Sequence, residues 1–380
     1  MRNSKEYDFY FVMAPITIKY PSGGTNVIYE LAKRLKQSGY RVAIHFVGNP
    51  WKTAKKYFPD REIKEWSSVG TFLKSILNNR ISFRLVIPLI RRFLRIRYSE
   101  ELEGVDLFFS GAISKTSLIK RMIATDYITA FFVDSQGGTF KKFFFSQLDE
   151  SDSNYLSKLS WMAEKTYSLA LELIVINLGM LEKFKERKPL LLHIGISDIF
   201  FQDEFDIVKS ERDKPSVLIP LRTGKMKGAT YGIGAAKLLH SEFPEISIKA
   251  FGNYPPEKVP EFIEYHERPS NTVLVNLYRK ASIFVLPSLI EGMPAPPLEA
   301  MANSCAVVSS DCKGIHSYLV NEVNGLIVNR CDSDALFRAV IRLVKDKLLM
   351  KTLAYEGFQT AKNYSYDTMV SNFLSIMNST

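Results

Sequence analysis

Short apolar runs alternate with amphipathic helical stretches along this chain, and the alternation stops once and then restarts. Asp8 to Ala14 (DFYFVMA) reads as a strand, and a loop with Pro21, Gly23 and Gly24 follows. The next stretch places Val27, Leu31 and Leu35 on one helical stripe, ended by Gly39. Further strands are expected at Arg41 to Gly48, Val105 to Ser110, Ile128 to Val133 and Leu171 to Ile176. A charged segment poor in large apolar residues comes next, with the composition of a linker. The alternation then resumes with strands at Ser216 to Leu221, Ile246 to Gly252, Ala281 to Ser288, Ala306 to Asp311 and Gly325 to Val328. Two long helical stretches and a separate amphipathic helix close the chain. Strands that alternate with helices imply parallel sheets with ligands at their C-terminal strand ends. The expected class is α/β, two doubly wound Rossmann-like domains facing a cleft. The expected boundaries are 1–200, a linker at 201–214, 215–362, and a crossover helix at 363–380 that packs back on the first domain.

A chain of 380 residues has room for two such cores. Its 46% apolar and 24% charged content is that of a globular protein and excludes bulk disorder. Cys305, Cys312 and Cys331 show no C-x-x-C spacing, and the five histidines do not cluster with them. Neither a zinc site nor a disulfide framework is indicated, and a reducing compartment is expected. Met1 to Asp8 is polar, Pro15 interrupts the apolar run after it, and no stretch approaches the roughly 18 apolar residues of a membrane span. The expected location is cytoplasmic, or peripheral on the inner face of a membrane.

The charge is uneven. Residues 1–190 carry 30 lysines and arginines against 19 acids, while residues 191–380 carry 20 against 21. A local basic excess suggests an anionic partner, lipid, nucleic acid or an acidic acceptor. Its densest part is Arg80 to Tyr98, where six arginines alternate with large apolar residues. That stretch reads equally as a membrane-interface segment or as a core helix with a solvated basic side, and Pro88 would kink a single helix there.

The most specific motif is Glu291-Gly-Met-Pro-Ala-Pro-Pro-Leu-Glu299-Ala-Met-Ala, between a strand ending at Leu286-Pro287-Ser288 and a helix starting near Pro296. Such a strand-to-helix turn presents free N–H groups and the positive end of the helix dipole. Prolines 294, 296 and 297 remove three donors and leave those of Gly292, Met293 and Ala295 for a phosphate. Glu291 and Glu299 are two acceptors flanking one pocket, suited to adjacent sugar or ribose hydroxyls. The second motif, Arg222-x4-Lys227-Gly228, also follows a strand and opens a helix. Arg222 offers a fork and Lys227 a point charge, a clamp for phosphate. Alone, Lys-Gly at a helix start is an ordinary solvated loop; with Glu-x7-Glu downstream it is not.

In order, Arg222-x4-Lys-Gly, Leu286-Pro-Ser, Glu291-Gly-Met-Pro, Leu298-Glu-Ala-Met-Ala, Val307-Val-Ser-Ser-Asp and Asn324-Gly-Leu-Ile-Val resemble glycosyltransferase family 4, whose members have the GT-B fold. The likeness covers nearly all of the second domain. In the first half it is thinner, at Ser22-Gly-Gly, Leu31-Ala-x-x-Leu and Gly39-Tyr-Arg-Val; His193 to Phe200 is similar to the family's junction segment before the linker. The resemblance implies retaining, metal-independent transfer from a nucleotide-sugar donor (a nucleoside-diphosphate sugar) to a glycan or lipid-linked acceptor, with no cofactor and no nucleic-acid partner. By the same resemblance Arg222 and Lys227 hold the diphosphate, Glu299 the ribose and Glu291 the sugar. Gly23 and Gly24 let the first loop of the other domain close on the donor.

The sequence also departs from the family. The family often has a histidine after a middle strand of the first domain; Phe131-Phe-Val-Asp134-Ser-Gln-Gly-Gly138 offers Asp134 there, either a partner for a sugar or acceptor hydroxyl or a cap or turn residue. This stretch and Ala163 to Tyr167 are faintly similar to bacterial rhamnosyltransferases. Ser304 and Ala306 replace a usual glycine and proline. Of the histidines, only His316 lies near the expected donor cleft. The tract Phe140 to Phe145 borders the acceptor site, touches lipid, or is the flank of a buried helix. Two other readings stay open: a sugar-nucleotide epimerase or phosphorylase on the same fold, and an inactive protein that binds nucleic acid or membrane.

Overall fold

The computed structural model describes residues 5–14, 23–47, 53, 55–57, 102, 104–110, 112–113, 118–152, 159–211, 215–256 and 258–380. The basic tract Arg80 to Tyr98 lies outside the described residues. The chain forms two compact units: Met1–Ile176 with Lys183–Leu192 and Asn372–Thr380, and Asn177–Glu182 with His193–Ser371.

The first unit holds a seven-stranded parallel sheet of β1 (Glu6–Met13), β2 (Val42–Val47), β3 (Asp106–Ser110), β4 (Leu118–Ala124), β5 (Lys141–Ser146), β6 (Glu172–Val175) and β7 (Leu190–Leu191), in the order β3-β2-β1-β4-β5-β6-β7. Phe9 to Val12 are buried on both faces of β1, which is why a central parallel strand reads as an unbroken apolar run. Helix α1 (Gly23–Gln37) buries Val27, Leu31 and Leu35 as its stripe requires, and Gly39 follows it with φ +91°.

Two expectations fail here. Ile128 to Val133 is not a strand but the body of α2 (Tyr127–Asp134), buried all round. An apolar run of that length fits either element; Asp126 decides it, because its carboxylate accepts from the Thr129 N–H in a capping box. The tract Phe140 to Phe145 is not the flank of a buried helix, and Lys141 within it is exposed. It becomes β5, between β4 and β6, with Phe143, Phe144 and Phe145 buried. A short α3 (Ser160–Thr166) precedes β6, and α4 (Leu178–Lys183) follows it.

The second unit holds a six-stranded parallel sheet of β8 (Val217–Pro220), β9 (Ile248–Gly252), β10 (Glu264–Glu267), β11 (Ile283–Leu286), β12 (Ala306–Ser310) and β13 (Leu326–Val328), in the order β10-β9-β8-β11-β12-β13. The order reverses at β8 and β11, so the loops after these two strands emerge side by side at the C-terminal edge. The helices are α5 (Val208–Glu211), α6 (Ala229–Glu242), α7 (Asn271–Lys280), α8 (Ala295–Ala302), α9 (Ser333–Lys345) and α10 (Lys347–Ala361). The charged segment after Phe201 is tied to this unit. Lys209 of α5 is buried, and its ammonium donates to the carbonyls of Tyr278 and Asn303, at the ends of α7 and α8. Ser304, in the place of a usual glycine, takes φ +59° after α8 and accepts from the Asp206 N–H.

The last helix, α11 (Tyr366–Ser379), starts in the second unit, and its final residues are part of the first. There Phe373 is fully buried 5.3 Å from the Phe9 ring, and Arg121 donates to the Met377 carbonyl. Among the described residues no helix is long and apolar enough to cross a membrane.

Candidate functional site

The C-terminal ends of β8 and β11 carry the two motifs. After β8 the chain runs through Leu221 and Arg222 to a 3-10 turn at Lys225–Lys227, bracketed by Gly224 (φ +110°) and Gly228 (φ +63°). Gly228 has to be glycine twice over: its backbone is left-handed, and a Cβ there would lie 1.8 Å from the Pro287 carbonyl oxygen. Behind it, the Leu289 N–H donates to the Met226 carbonyl at 2.9 Å. The two loops are thereby locked together, sixty residues apart in sequence.

On that frame the predicted side chains converge. An amino nitrogen of Arg222 donates to Glu291 Oε1 at 2.7 Å, and Lys227 Nζ donates to Glu291 Oε2 at 2.9 Å. Arg222 also reaches Ser288 Oγ at 3.4 Å. Its Nε is buried without a hydrogen-bond partner among the described residues. The Glu291 side chain is only 11% exposed. Burial works to raise its pKa, but the charges of Arg222 and Lys227 outweigh it and hold the carboxyl below its ordinary value. Glu299, on α8, meets the opposite balance. Burial raises it to about 7, opposed by the hydrogen bond it accepts from Tyr278 Oη (2.8 Å) and by the charge of Arg222.

Helix α8 starts after Pro294, with prolines in its first turn. Those positions lack intrahelical N–H partners in any case, so the prolines cost little, and Gly292, Met293 and Ala295 stand at the start of the helix as expected. The Gly292 carbonyl accepts from Asn177 Nδ2 at 2.7 Å, and Tyr318 Oη donates to the Pro294 carbonyl, which fixes the turn from two sides. His316 is exposed and pairs with Asp311 Oδ1 at 2.8 Å.

Three predicted residues belong to the first unit. Gly23 and Gly24 begin α1; the Gly24 carbonyl accepts from Gln147 Nε2 at 3.1 Å, and a Cβ on Gly23 would meet nothing within 4 Å among the described residues. Asp134 does not follow a strand, because the segment before it is α2. It ends that helix, where Oδ2 accepts from Tyr57 Oη at 2.7 Å and its carbonyl accepts from Lys142 at 2.8 Å. The residues that do follow a middle strand are Thr125 and Asp126, after β4. Asp126 accepts from the Thr129 and Ala14 N–H groups, and Glu150 accepts from the Tyr127 N–H at 2.9 Å. Burial raises the pKa of both acids, and that of Glu150 further through the charge of Asp126. Sequence reasoning missed this pair and Tyr278; the Asp126-x-x-Thr129 spacing was the available signal for the first. Among the described residues no group of three or more His, Cys, Asp or Glu side chains is arranged to hold a metal ion.

Residues 200–360 match the family model described as glycosyl transferases group 1. The chain is 24% identical over 355 residues, 91% of its length and 88% of the relative's, to the N,N'-diacetylbacillosaminyl-diphospho-undecaprenol alpha-1,3-N-acetylgalactosaminyltransferase of Campylobacter jejuni. Among solved structures, sucrose-phosphate synthase of Thermosynechococcus elongatus superposes with a TM-score of 0.67 at 15% identity, covering 99% of this chain and 98% of that one. HepE of Anabaena, solved with UDP and glucose, superposes at 0.65 and 12% identity, covering 98% and 100%. The two parallel sheets are thus those of the GT-B fold, and residues 200–360 conform to the glycosyl transferases group 1 model.

Proposed function

We propose that the protein moves a sugar from a nucleoside-diphosphate sugar to a glycan or lipid-linked acceptor, with retention and without a metal ion, in cell-surface glycan or glycolipid synthesis. One observation carries this reading: Arg222 and Lys227 from one loop and Glu291 from another form a single cluster at the strand ends of the second sheet, and Glu299 feels the charge of the same arginine. Arg222 and Lys227 take the diphosphate, Glu291 the sugar hydroxyls and Glu299 the ribose. Gly292, Met293 and Ala295 offer backbone N–H groups to phosphate. The bond from the anomeric carbon to the diphosphate breaks, the acceptor oxygen bonds to that carbon, and the acceptor proton leaves on the departing phosphate. Negative charge grows on the phosphate as the bond lengthens, so fixed cations there favour the transition state over the ground state. The relative from Campylobacter, named for a diphospho-undecaprenol acceptor and an alpha linkage, supports the lipid-linked acceptor and retention. HepE, solved with UDP and glucose, supports a nucleotide-sugar donor.

The test is a melting and hydrolysis screen against UDP-, GDP- and dTDP-sugars, with and without EDTA. One base class should stabilise the protein in proportion to ligand concentration over its dissociation constant. Turnover should survive the chelator. Lys227→Ala should cost about 3 kcal/mol of transition-state stabilisation, by comparison with the loss of one oxyanion donor. If no donor class shifts the melting curve, or if Lys227→Ala turns over within a factor of a few of the parent, the reading is wrong.

A further inference from the structure

After β12 the chain reverses at Cys312-Lys313-Gly314. The Gly314 N–H donates to the Cys312 carbonyl at 2.7 Å, and Lys313 between them has φ +60° and ψ −63°. This is a γ-turn of positive φ, a rare and strained conformation for a residue with a side chain. Lys188, also at positive φ, rests by contrast in the ordinary left-handed well (φ 48°, ψ 54°). The Lys313 side chain is exposed. The turn is pressed against the candidate site. A Cβ on Gly314 would come 1.9 Å from the Gly292 carbonyl oxygen and 2.6 Å from that of Glu291. The Glu291 N–H donates to the Cys312 carbonyl at 3.3 Å, and Glu291 and Lys313 pair as a parallel bridge. The strained lysine is therefore the backbone neighbour of the carboxylate that holds Arg222 and Lys227.

Charge says what a lysine at that place is for. Glu291 cancels one of the two cations it bridges, which leaves a single net positive charge against a diphosphate. A diphosphate carries more negative charge than that, and gains more as the glycosidic bond breaks. We infer that Lys313 is a third cation of the donor site, whose ammonium, on a flexible stem, contacts the diphosphate of the nucleotide sugar beside Glu291. Strained backbone persists where the surroundings over-determine it, and it gathers at ligand clamps. The inference rests on the reading of Arg222, Lys227 and Glu291 as the donor site.

Lys313→Gly separates a binding role from a structural one, because glycine takes this φ freely. Binding of UDP, GDP and dTDP to the parent, Lys313→Gly, Lys313→Arg and Lys227→Ala would be measured by titration calorimetry, with melting temperatures alongside. The expected result for Lys313→Gly is a melting temperature no lower than the parent's, with affinity for the preferred diphosphate weakened about tenfold and a shallower dependence on salt. Lys313→Arg should keep most of the affinity. If Lys313→Gly binds within about twofold of the parent while Lys227→Ala does not, the inference on Lys313 is overturned and the donor site stands. If Lys227→Ala binds like the parent, or the parent binds none of the three, both fall together.

Discussion

Glu291 and Glu299 stand on one strand-to-helix connection, yet their surroundings drive them in opposite directions. Glu291, between two cations, stays ionised through the neutral range, while Glu299 is raised to about 7 by burial, which the Tyr278 hydrogen bond and the Arg222 charge only partly offset. An acid whose pKa is raised by folding holds its proton more tightly in the fold than in the unfolded chain. Its contribution to stability is full below the ordinary value of 4.5 and is lost as pH climbs towards about 7. Binding of ribose hydroxyls has the reverse requirement, since an ionised carboxylate accepts two hydrogen bonds and a protonated one gives up part of that capacity. Affinity for UDP or GDP should therefore tighten between about pH 6 and about pH 8 by more in the parent than in Glu299→Gln, the difference cancelling the titration of the ligand's own phosphate. Parallel pH profiles for the two proteins would remove Glu299 from the ribose.

At the scale of elements, the site depends on how closely the loops after β8 and β11 approach. Gly228→Ala tests this directly, since the new Cβ would meet the Pro287 carbonyl in a left-handed backbone. The expected loss of stability in the second unit is about 3 kcal/mol, from overpacking and left-handed backbone strain combined, seen as an earlier denaturant midpoint. A midpoint unchanged from the parent would mean that the loops can part at little cost. The same elements show what the sequence does and does not disclose. Strands β1, β8, β11 and β12 are buried on both faces and announce themselves as apolar runs. Strand β10, Glu264–Glu267, is a partly exposed edge with no apolar run to find. Helix α2 is apolar on all sides, so only its cap at Asp126 distinguishes it from a strand. Arg222, Lys227, Glu291 and Glu299 were legible because glycines and prolines mark the turns that carry them. Tyr278 was not, because its contact with Glu299 depends on the order of strands across the sheet. The turn at Lys313 was hidden for another reason: a lysine carries no outward sign of a positive φ.

For the whole molecule, the basic excess of residues 1–190 sets an expectation about surfaces rather than chemistry. The protein should pellet with vesicles that contain anionic lipid at low salt, come off as salt is raised, and ignore both zwitterionic vesicles and RNA. Retention by RNA at the same salt, or indifference to anionic vesicles, would count against a peripheral role at a membrane. The final helix bears on how the two units can be separated. Phe373 covers Phe9 and Phe11 in the first unit, although it is encoded after the entire second sheet. A ribosome that has just released residue 200 has thus not finished the first core, and a gene cut between the two sheets yields a leading fragment missing one of its own aromatic plugs. The two halves of this chain are inherited, and completed, only together.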